Sequence, residues 1–424
     1  MMNSQGIKGP PYKFIYGNNK QVTKMRMEAS SKCLALTDDI FPKVQPHFYT
    51  WINRYGKNYL SWSGVRAELV ISDPELVKKV LRNSEKKFPK RKLSDIGEKL
   101  LGNGLAFIEG GKWAKHRKLA DKAFHGERLK NMTPTIIASV ETMLEKWKAQ
   151  ESKEIEVFEE FRLLTSEVIS KTALGSNYLE GEKIFVMLKK LNILVSRNIS
   201  KTTIPFINKL WKSADLLESK KLEKGIQDCV VEIIEKREDK VVGGEADSFG
   251  DDYLGLLVNA YHDLNDKNKL SLEDLVGECK TIYFAGDWQE KARREVIDIF
   301  GNPNPHLEGI PKLKTMSMII NETLRFRLHR DPYLWGDDAH LFKPERFSEG
   351  IGKATNYNAA AFSPFGLGLR SCVGMTFAMI ETKIVLSMIL QRYSVSLSPT
   401  YVHSPIPIIS LVPQHGIQLL ESLT

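Results

Sequence analysis

Residues 365–374, with the sequence FGLGLRSCVG, decide the fold of this chain. Cys372 lies there in a glycine-containing loop, directly before a strongly amphipathic helical pattern at about residues 375–393. The amides and the dipole at a helix N-terminus favour negative charge, so we expect them to lower the pKa of the Cys372 thiol. Arg370 adds a positive charge two residues away, and the glycines allow the backbone to approach a large flat ligand. A thiolate, backbone N–H donors and a cation together suit an axial ligand of haem iron.

The cysteines and glycines of the chain also define two alternatives to this site. A free cysteine is usually a small buried hydrophobic side chain, which is what we expect for Cys33, Cys229 and Cys279. A phosphate-binding loop would need a Gly-Lys-Ser/Thr run, which is absent, and Ser371 takes the position of the third glycine of a dinucleotide fingerprint. A purely buried role therefore stays open for Cys372, whereas phosphate binding is disfavoured.

A third alternative is a cysteine hydrolase with Cys372 as its nucleophile. Such an enzyme needs a partner base close to the thiol. The nearest histidines in the sequence, His340 and His403, belong to no recognisable catalytic motif. The sequence therefore favours a ligand role for Cys372 over nucleophilic catalysis.

The composition indicates a folded chain in a reducing compartment. Of its 424 residues, 42% are hydrophobic and 27% are charged, so the chain has enough apolar surface to offset the entropy of ordering. This length allows about three domains of roughly 150 residues. Four cysteines without a C-x-x-C pair exclude a disulfide-framed secreted scaffold and disfavour a structural zinc site.

Positive charge is concentrated in the first third of the chain. Residues 1–150 contain 28 Lys and Arg against 14 Asp and Glu, within a net charge of +9 for the whole sequence. This region indicates an acidic protein or a phospholipid surface as partner, with a solvated surface as an equal alternative. Nucleic acid is disfavoured because no recognition module accompanies the charge. No run reaches the roughly 18 apolar residues of a membrane span, and the N-terminus lacks a signal-peptide pattern.

The hydrophobic periodicity predicts a mainly α fold with a minor β portion. A strand pair is expected around residues 63–64, and a helix from residue 272 to about 300 with Ser271 as its cap. Residues 236–252 are charged and contain glycine, which favours an internal linker. Alternating apolar residues between 393 and 420 predict short strands near the C-terminus.

Residues 365–374 resemble the haem-binding signature of the cytochrome P450 family. The pattern F-x-x-G-x-R-x-C-x-G matches at every defined position, at Phe365, Gly368, Arg370, Cys372 and Gly374. In that family the cysteine is the ligand of haem b, and the aromatic residue packs beside the sulfur and limits solvent access. The resemblance implies that these five residues bind the cofactor and that Cys372 is the metal ligand.

Three further segments are similar to family motifs and occur in the family's order. Residues 113–117 resemble the W-x-x-x-R helix, residues 322–325 the E-x-x-R helix, and residues 342–347 the P-E-R-F segment. Residues 278–281 and 335–338 look most like the plant clan that includes secologanin synthase and hormone-inactivating hydroxylases. The resemblance thus covers almost the whole chain.

These matches imply roles for five more residues. Trp113 and Arg117 would bind a haem propionate, a task suited to an indole N–H and a guanidinium on one helix face. Glu322 and Arg325, three residues apart on a helix, can reach one another. With Arg346 they would form the buried cluster that the family uses to hold the haem-side loops.

The histidines give no sign of a metal or catalytic centre of their own. The nine histidines show no H-E-x-x-H motif and no tight cluster. His116 lies between Trp113 and Arg117 in the chain but points to another face of the helix. We therefore expect His116 at the surface or facing a partner.

The sequence departs from the family at the helix that activates oxygen. The family pattern there is A/G-G-x-D/E-T, in which an acid and an alcohol deliver protons to dioxygen. Here Ala285, Gly286 and Asp287 are followed directly by residues 288–293, which look like the family's next helix. The threonine is therefore missing, and Asp287 is either a remnant of the acid or part of the later helix.

A second departure follows Arg325, which only 47 residues separate from Cys372. The family's short strands and its basic residue for the second propionate are missing there, and its N-terminal membrane span is absent as well. Two internal gaps with intact flanks favour skipped exons or an incorrect gene model. We therefore expect an incomplete cytochrome P450 fold, without part of the oxygen-binding helix and the strands after the E-x-x-R helix.

The resemblance implies a haem-dependent monooxygenase that forms a single domain over residues 1–424. The expected reaction is hydroxylation of a small apolar substrate (a terpenoid, steroid-like molecule, hormone or fatty acid) with O2 and electrons from NADPH–cytochrome P450 reductase. The expected location is the cytosolic face of the endoplasmic reticulum membrane, with peripheral membrane contact and no binding of nucleic acid. The alternative is a catalytically impaired or inactive truncated cytochrome P450 that binds haem weakly or not at all.

Overall fold

Helices dominate the structure, and the strands form small antiparallel sheets. A computed structural model describes residues 6–36, 38–82, 87–90, 95–102, 104–150, 154–175, 178–198, 214–263, 269–284, 304–328, 332–407 and 411–423. The prediction of a mainly α fold with a minor β portion is confirmed.

The α-helices of the described residues are numbered here in chain order. They are α1 Asn19–Ser30, α2 Phe41–Val44, α3 Pro46–Tyr55, α4 Pro74–Arg82, α5 Asp95–Leu101, α6 Gly110–Ala123, α7 Glu127–Ala149, α8 Val157–Ala173, α9 Tyr178–Asn198, α10 Ala214–Val242, α11 Tyr253–Tyr261, α12 Leu272–Phe284, α13 Lys314–Leu328, α14 Pro332–Trp335, α15 Gly350–Ala354 and α16 Met375–Arg392. Short 3₁₀ turns cover Ile310–Lys312, Pro344–Phe347 and Gly368–Arg370.

The strands pair within three sheets of the described residues. They are β1 Asn58–Ser63, β2 Arg66–Ile71, β3 Glu154–Glu156, β4 Tyr393–Leu397, β5 Pro405–Pro407, β6 Leu411–Pro413 and β7 Gln418–Leu423. β1 and β2 form the predicted hairpin, in which Ser63 pairs with Arg66 and Gly64 has the positive φ of 60° that such a tight turn requires. β7 lies between β3 and β4, and β5 pairs with β6, so the predicted C-terminal strands are confirmed.

Helix α16 lies in the centre of the main hydrophobic core. Every residue from Lys383 to Leu390 is buried, and α16 packs against α7 and β4. The prediction that this helix is amphipathic is therefore wrong, because neighbouring elements cover its C-terminal half from Lys383 to Leu390 on every face. A central helix of this kind fixes the position of the Cys372 loop at its N-terminus.

The charged segment at residues 236–252 is not a linker. Helix α10 continues to Val242, and Arg237 on it donates hydrogen bonds to Asp252 (2.8 Å), to the carbonyl of Phe249 (3.0 Å) and to that of Leu174 (2.9 Å). The prediction failed because it assumed that charged residues lie in solvent. The Arg237 guanidinium instead forms hydrogen bonds that connect α10 with the end of α8 and the start of α11.

Two other local predictions have different outcomes. Ser271 and Asp274 cap α12 reciprocally, since the amide of Asp274 donates to the Ser271 hydroxyl and the amide of Ser271 to the Asp274 carboxylate, both at 3.2 Å. The predicted continuation of this helix to residue 300 lies outside the described residues. Of the free cysteines, Cys279 is buried and Cys229 half-buried, but Cys33 is exposed, against expectation, because it lies in the loop after α1.

Candidate active site

Cys372 lies in the loop between the Gly368–Arg370 turn and α16. Its amide donates to the carbonyl of Phe365 (2.7 Å), which closes the loop. Burial raises the pKa of the Cys372 thiol above its ordinary value, although the amide of Gly374 and the charge of Arg117 act in the opposite direction. The expectation that the helix N-terminus lowers this pKa is therefore wrong for the chain alone, because desolvation by the surrounding atoms outweighs the favourable dipoles. Cys372 is nevertheless an exposed residue, so a purely buried role for it is not supported.

A cavity of about 490 Å³ lies beside Cys372. Its wall is mainly apolar and comes from α6, α8, α12, α13, α16 and the Cys372 loop. Phe124 and Phe377 meet edge to face at 5.7 Å on this wall, and Phe365 also lines it. Cavities of roughly 300–1,000 Å³ with a few placed polar groups are typical of sites for small molecules and cofactors.

Three cationic side chains share the cavity wall with the thiol. Arg117 donates to the carbonyl of Ser371 (2.5 Å), directly before Cys372. The Arg370 guanidinium lies 4.5 Å from the centroid of the Trp113 ring and donates to the carbonyl of Ile108 (2.8 Å). The structure thus brings the predicted residues of α6 together with those of the Cys372 loop.

Lys90 is the third cation of the cavity wall. Its Nζ donates to the carbonyl of Ala106 (2.9 Å). Burial, and then the nearby charge of Arg370, lower the pKa of Lys90. The mutual repulsion of cations in one partly buried wall favours an anionic group between them.

The glycines of the loop serve two different purposes. Gly366 and Gly368 have positive φ values of 76° and 73°, and a Cβ on Gly368 would lie 3.1 Å from the carbonyl oxygen of Leu81 in α4. Gly368 is therefore required by the turn and by its packing. A Cβ on Gly374 would meet no atom within 4 Å, and Gly374 lines the cavity, so a side chain there would take up space beside Cys372.

Glu322, Arg325 and Arg346 meet in one buried cluster. Arg325 donates twice to the Glu322 carboxylate, at 2.6 and 2.8 Å, and both side chains are fully buried. Arg346 lies 3.5 Å from the same carboxylate and donates to the carbonyl of Trp335 (3.0 Å). The cluster ties α13 to the Pro344–Phe347 turn, as the E-x-x-R and P-E-R-F resemblance implies.

His116 is fully buried, so the prediction that it faces solvent or a partner is wrong. Its Nδ1 lies 2.6 Å from Oε1 of Glu278 on α12. The helix α6 is covered on the His116 face as well as on the cavity face, because α11 and α12 pack there. Helical periodicity separates the two faces but does not show what covers each of them.

Comparison with known proteins decides the family. The family model of cytochrome P450 matches residues 42–288 and 326–420. The chain belongs to the cytochrome P450 family. The E-x-x-R segment lies outside the two matched stretches, although the structure forms its ion pair.

This cytochrome P450 is similar to plant relatives along nearly its whole length. Cytochrome P450 CYP749A22 of Panax ginseng is 48% identical over 99% of this chain and 90% of the relative. The 11-oxo-beta-amyrin 30-oxidase of Glycyrrhiza uralensis is 37% identical over 99% and 91%, and cytochrome P450 734A1 of Arabidopsis thaliana is 33% identical over 98% and 89%. These alignments extend over 474 to 485 positions, more than the 424 residues of the chain, so they contain gaps on its side.

The residues of this cytochrome P450 fit the haem that the family implies. The cavity combines one thiol with three cations and an apolar wall, which suits a flat apolar ring with a ligand position on its metal and two carboxylates at its edge. No histidine lines this cavity among the described residues, so the cysteine hydrolase gains no support. Within those residues no helix combines the length and apolar composition of a bilayer-spanning segment.

Several groups on the cavity wall were missed from the sequence. They are Lys90, Glu278, Thr281 and Glu381. None belongs to a motif with fixed spacing. Glu278 and Thr281 lie in the segment 278–281 that resembles the plant clan, but that resemblance gave them no role. Asp287 and the break in the oxygen-activating pattern lie outside the described residues.

Proposed function

We propose that this cytochrome P450 binds haem b in the cavity and hydroxylates a small apolar substrate with O2. The observation that carries the proposal is the meeting of Cys372 with Lys90, Arg117 and Arg370 on an otherwise apolar wall. Bound haem supplies the iron that activates O2 for insertion of one oxygen atom into a C–H bond. The Cys372 thiolate is the proposed ligand of that iron.

The chain's own residues hold and enclose the cofactor in this proposal. Trp113, Arg117 and Arg370 bind the propionates, and Lys90 adds a cation where the sequence lacks the family's second basic residue. Phe365 shields the sulfur from water, and Gly374 leaves space for the ring. Glu322, Arg325 and Arg346 hold the loops around the site through their buried ion pairs.

For the substrate we propose a terpenoid from among the small apolar molecules. The apolar wall supports this class, as does the similarity to a relative named 11-oxo-beta-amyrin 30-oxidase. A terpenoid would gain its binding free energy mainly from the removal of its hydrocarbon surface from water.

For partners and location we propose the family's arrangement. Electrons would come from NADPH–cytochrome P450 reductase, which the basic first third of the chain would meet at the cytosolic face of the endoplasmic reticulum membrane. We also propose a single domain over residues 1–424. Its support is a main hydrophobic core whose buried residues extend from Leu100 to Leu419, together with the contacts of α2 with β5 and of α4 with the Gly368–Arg370 turn.

The carbon monoxide spectrum of the ferrous protein tests the cofactor proposal. The purified chain should contain haem and show the long-wavelength absorption of a thiolate-ligated haem. Cys372→Ala should lose this band, and the control Cys33→Ala, at an exposed cysteine, should keep it. Absence of the band from the wild-type chain would refute the proposal.

The second candidate is a cytochrome P450 that binds haem but turns over poorly. It is favoured by the break after Asp287, which removes the family's proton-delivering alcohol. Stoichiometric haem without product, despite added reductase and a panel of triterpenoids, would support this candidate. Product formation by the same preparation would exclude it.

A further inference from the structure

A fully buried histidine and a fully buried glutamate meet at the cavity wall. His116 of α6 and Glu278 of α12 are both 0% exposed, and their Nδ1 and Oε1 atoms are 2.6 Å apart. The hydroxyl of Tyr253 on α11 donates a hydrogen bond to the other carboxylate oxygen of Glu278, at 2.8 Å. Glu278 also lines the cavity beside Cys372. The pair therefore links the buried face of α6 that carries His116 with the candidate active site.

The second ring nitrogen of His116 points towards the surface end of the same cluster. Its Nε2 is buried, and among the described residues it has no hydrogen-bond partner. The nearest anionic atom is Oδ2 of Asp274, at 3.9 Å. Asp274 forms an ion pair with Lys112, whose side chain is 43% exposed. Titratable groups therefore extend from solvent to the cavity across α6 and α12.

Several other titratable groups lie around the pair and the cavity. Burial raises the pKa of Tyr253 well above its ordinary value and that of Cys279 to about 12, so both stay protonated. Lys112 and Arg117 are the neighbouring basic groups on α6. Asp274 has a lowered pKa, since its bonds to Lys112 and Ser271 outweigh its burial. Glu381 of α16 also lines the cavity, and burial raises its pKa to about 8, so a pH dependence measured at the cavity contains the titration of Glu381 as well.

We propose that His116 and Glu278 hold a proton for the chemistry of the cavity, an inference that rests on the proposed haem site. In the transfer, the N–H bond at Nδ1 of the imidazolium breaks and an O–H bond forms at Oε1 of Glu278. Glu278 then gives this proton to a group bound in the cavity and returns to carboxylate. Before the transfer, Nε2 of the neutral imidazole takes up a proton from solvent at the end formed by Asp274 and Lys112, which forms the imidazolium. After the transfer the imidazole is neutral again and carries that proton on Nε2.

Thr281 places an alcohol near this acid. It is three residues from Glu278 on the same face of α12 and also lines the cavity. Its hydroxyl donates to the carbonyl of Gly277 (2.9 Å). An acid and an alcohol thus share one wall of the cavity in a chain whose sequence interrupts the family's own acid–alcohol pair.

The dependence of the haem midpoint potential on pH tests the pair without any turnover. Reduction adds negative charge to the site, so a proton-holding pair takes up a proton and the potential falls as pH rises. We expect His116→Gln and Glu278→Gln each to reduce this dependence, while the titration of Glu381 on the cavity wall remains in both variants. His125→Gln, the same substitution at an exposed histidine, should retain it.

Every outcome decides between proton storage and a structural contact. Glutamine at position 116 can still donate a hydrogen bond to Glu278 but cannot release a proton, so unchanged pH dependence in His116→Gln would overturn the proposal. Equal pH dependence in wild type and both variants would do the same. A carbon monoxide band in all four proteins shows that the haem site is intact, so that this result does not reflect loss of cofactor.

A nuclear magnetic resonance measurement reads the pair even if the chain fails to bind haem. With histidines labelled in the ring nitrogens, the Nδ1–H signal of His116 should shift in Glu278→Gln and remain in place in Glu273→Gln. A missing haem band with a shifted signal refutes the proposed function alone. An unshifted signal refutes the His116–Glu278 proton bridge, whatever the haem content.

Discussion

Three enclosed glutamates show how the surroundings of a single residue set its chemistry. The Glu322 carboxyl group accepts two hydrogen bonds from Arg325 and lies 3.5 Å from Arg346. Glu278 shares a proton-bearing contact with His116. Glu381 on α16 has the Thr165 hydroxyl as a hydrogen-bond partner, and burial raises its pKa to about 8. The same side chain therefore has guanidinium partners in one site, an imidazole in the second and a single hydroxyl in the third, where its pKa is raised.

The stability of the chain should depend on pH through Glu381. Its pKa rises from 4.5 in the unfolded chain to about 8 in the fold, so folding carries no penalty below pH 4.5. The penalty grows between pH 4.5 and 8, to about 4 to 5 kcal/mol, because the unfolded state increasingly gains from ionisation. Glu381→Gln should therefore stabilise the protein more at pH 8 than at pH 5 in urea unfolding.

The control for this measurement is Glu349→Gln on α15. Its carboxylate is 64% exposed and pairs with Lys353 one turn along the helix. Its contribution to the free energy of unfolding should therefore be small at both pH values. A Glu381→Gln effect that is equal at pH 5 and pH 8 would contradict the assignment of a neutral buried acid.

At the scale of elements, single side chains determine which segments stay together. Arg237, near the C-terminal end of α10, forms hydrogen bonds to the end of α8 and to the segment at the N-terminus of α11. Its partner Asp252 also accepts from the amide of Gly255 and so caps α11. The charged segment between α10 and α11 is consequently part of the packed structure.

Loss of Arg237 should loosen this junction. Arg237→Gln removes hydrogen bonds that involve charged groups and leaves Asp252 without its buried partner, a cost of about 2 to 3 kcal/mol. We expect a lower urea midpoint and faster proteolysis at residues 243–251. The adjacent Lys236→Gln, at a side chain that is 51% exposed, should change neither. Equal proteolysis of the two variants would show that the segment is held in another way.

At the scale of the whole molecule, one cavity collects residues from distant parts of the chain. Helices α6, α8, α12, α13 and α16 each contribute to its wall, and the Cys372 loop closes it. The cavity borders the main hydrophobic core, so cofactor binding and global folding depend on the same packing. A ligand that binds only the folded state adds to its stability.

If residues 1–424 form one domain, the chain should unfold in one transition. Tryptophans at positions 51, 62, 113, 147 and 335 report on the early, middle and late parts of the chain. Their fluorescence and the far-ultraviolet circular dichroism should give coincident urea curves. Two separated transitions, with different tryptophans in each, would contradict the single-domain proposal.

Local patterns in the sequence predicted those parts of the site whose partners are close in the chain. Glu322 and Arg325 are three residues apart on one helix, and helical geometry alone brings them into contact. The Ser271 cap and the hairpin at residues 63–64 were likewise predictable from their own segments. The packed structure of residues 236–252 was not predictable in this way, because Arg237 donates a hydrogen bond to the carbonyl of Leu174, which is 63 positions away in the chain.

The sequence by itself determined the cysteine loop, the family signature and the mainly helical fold, since each depends on residues that are neighbours in the chain. Only the tertiary structure decided the burial of His116, the approach of Lys90 to Arg370, and the raised pKa values of Cys372 and Glu381. The physical reason is desolvation by distant partners. Periodicity shows which side chains share a helix face, but the partners that cover the face, such as Glu278 for His116 at 162 residues' separation, are set by packing.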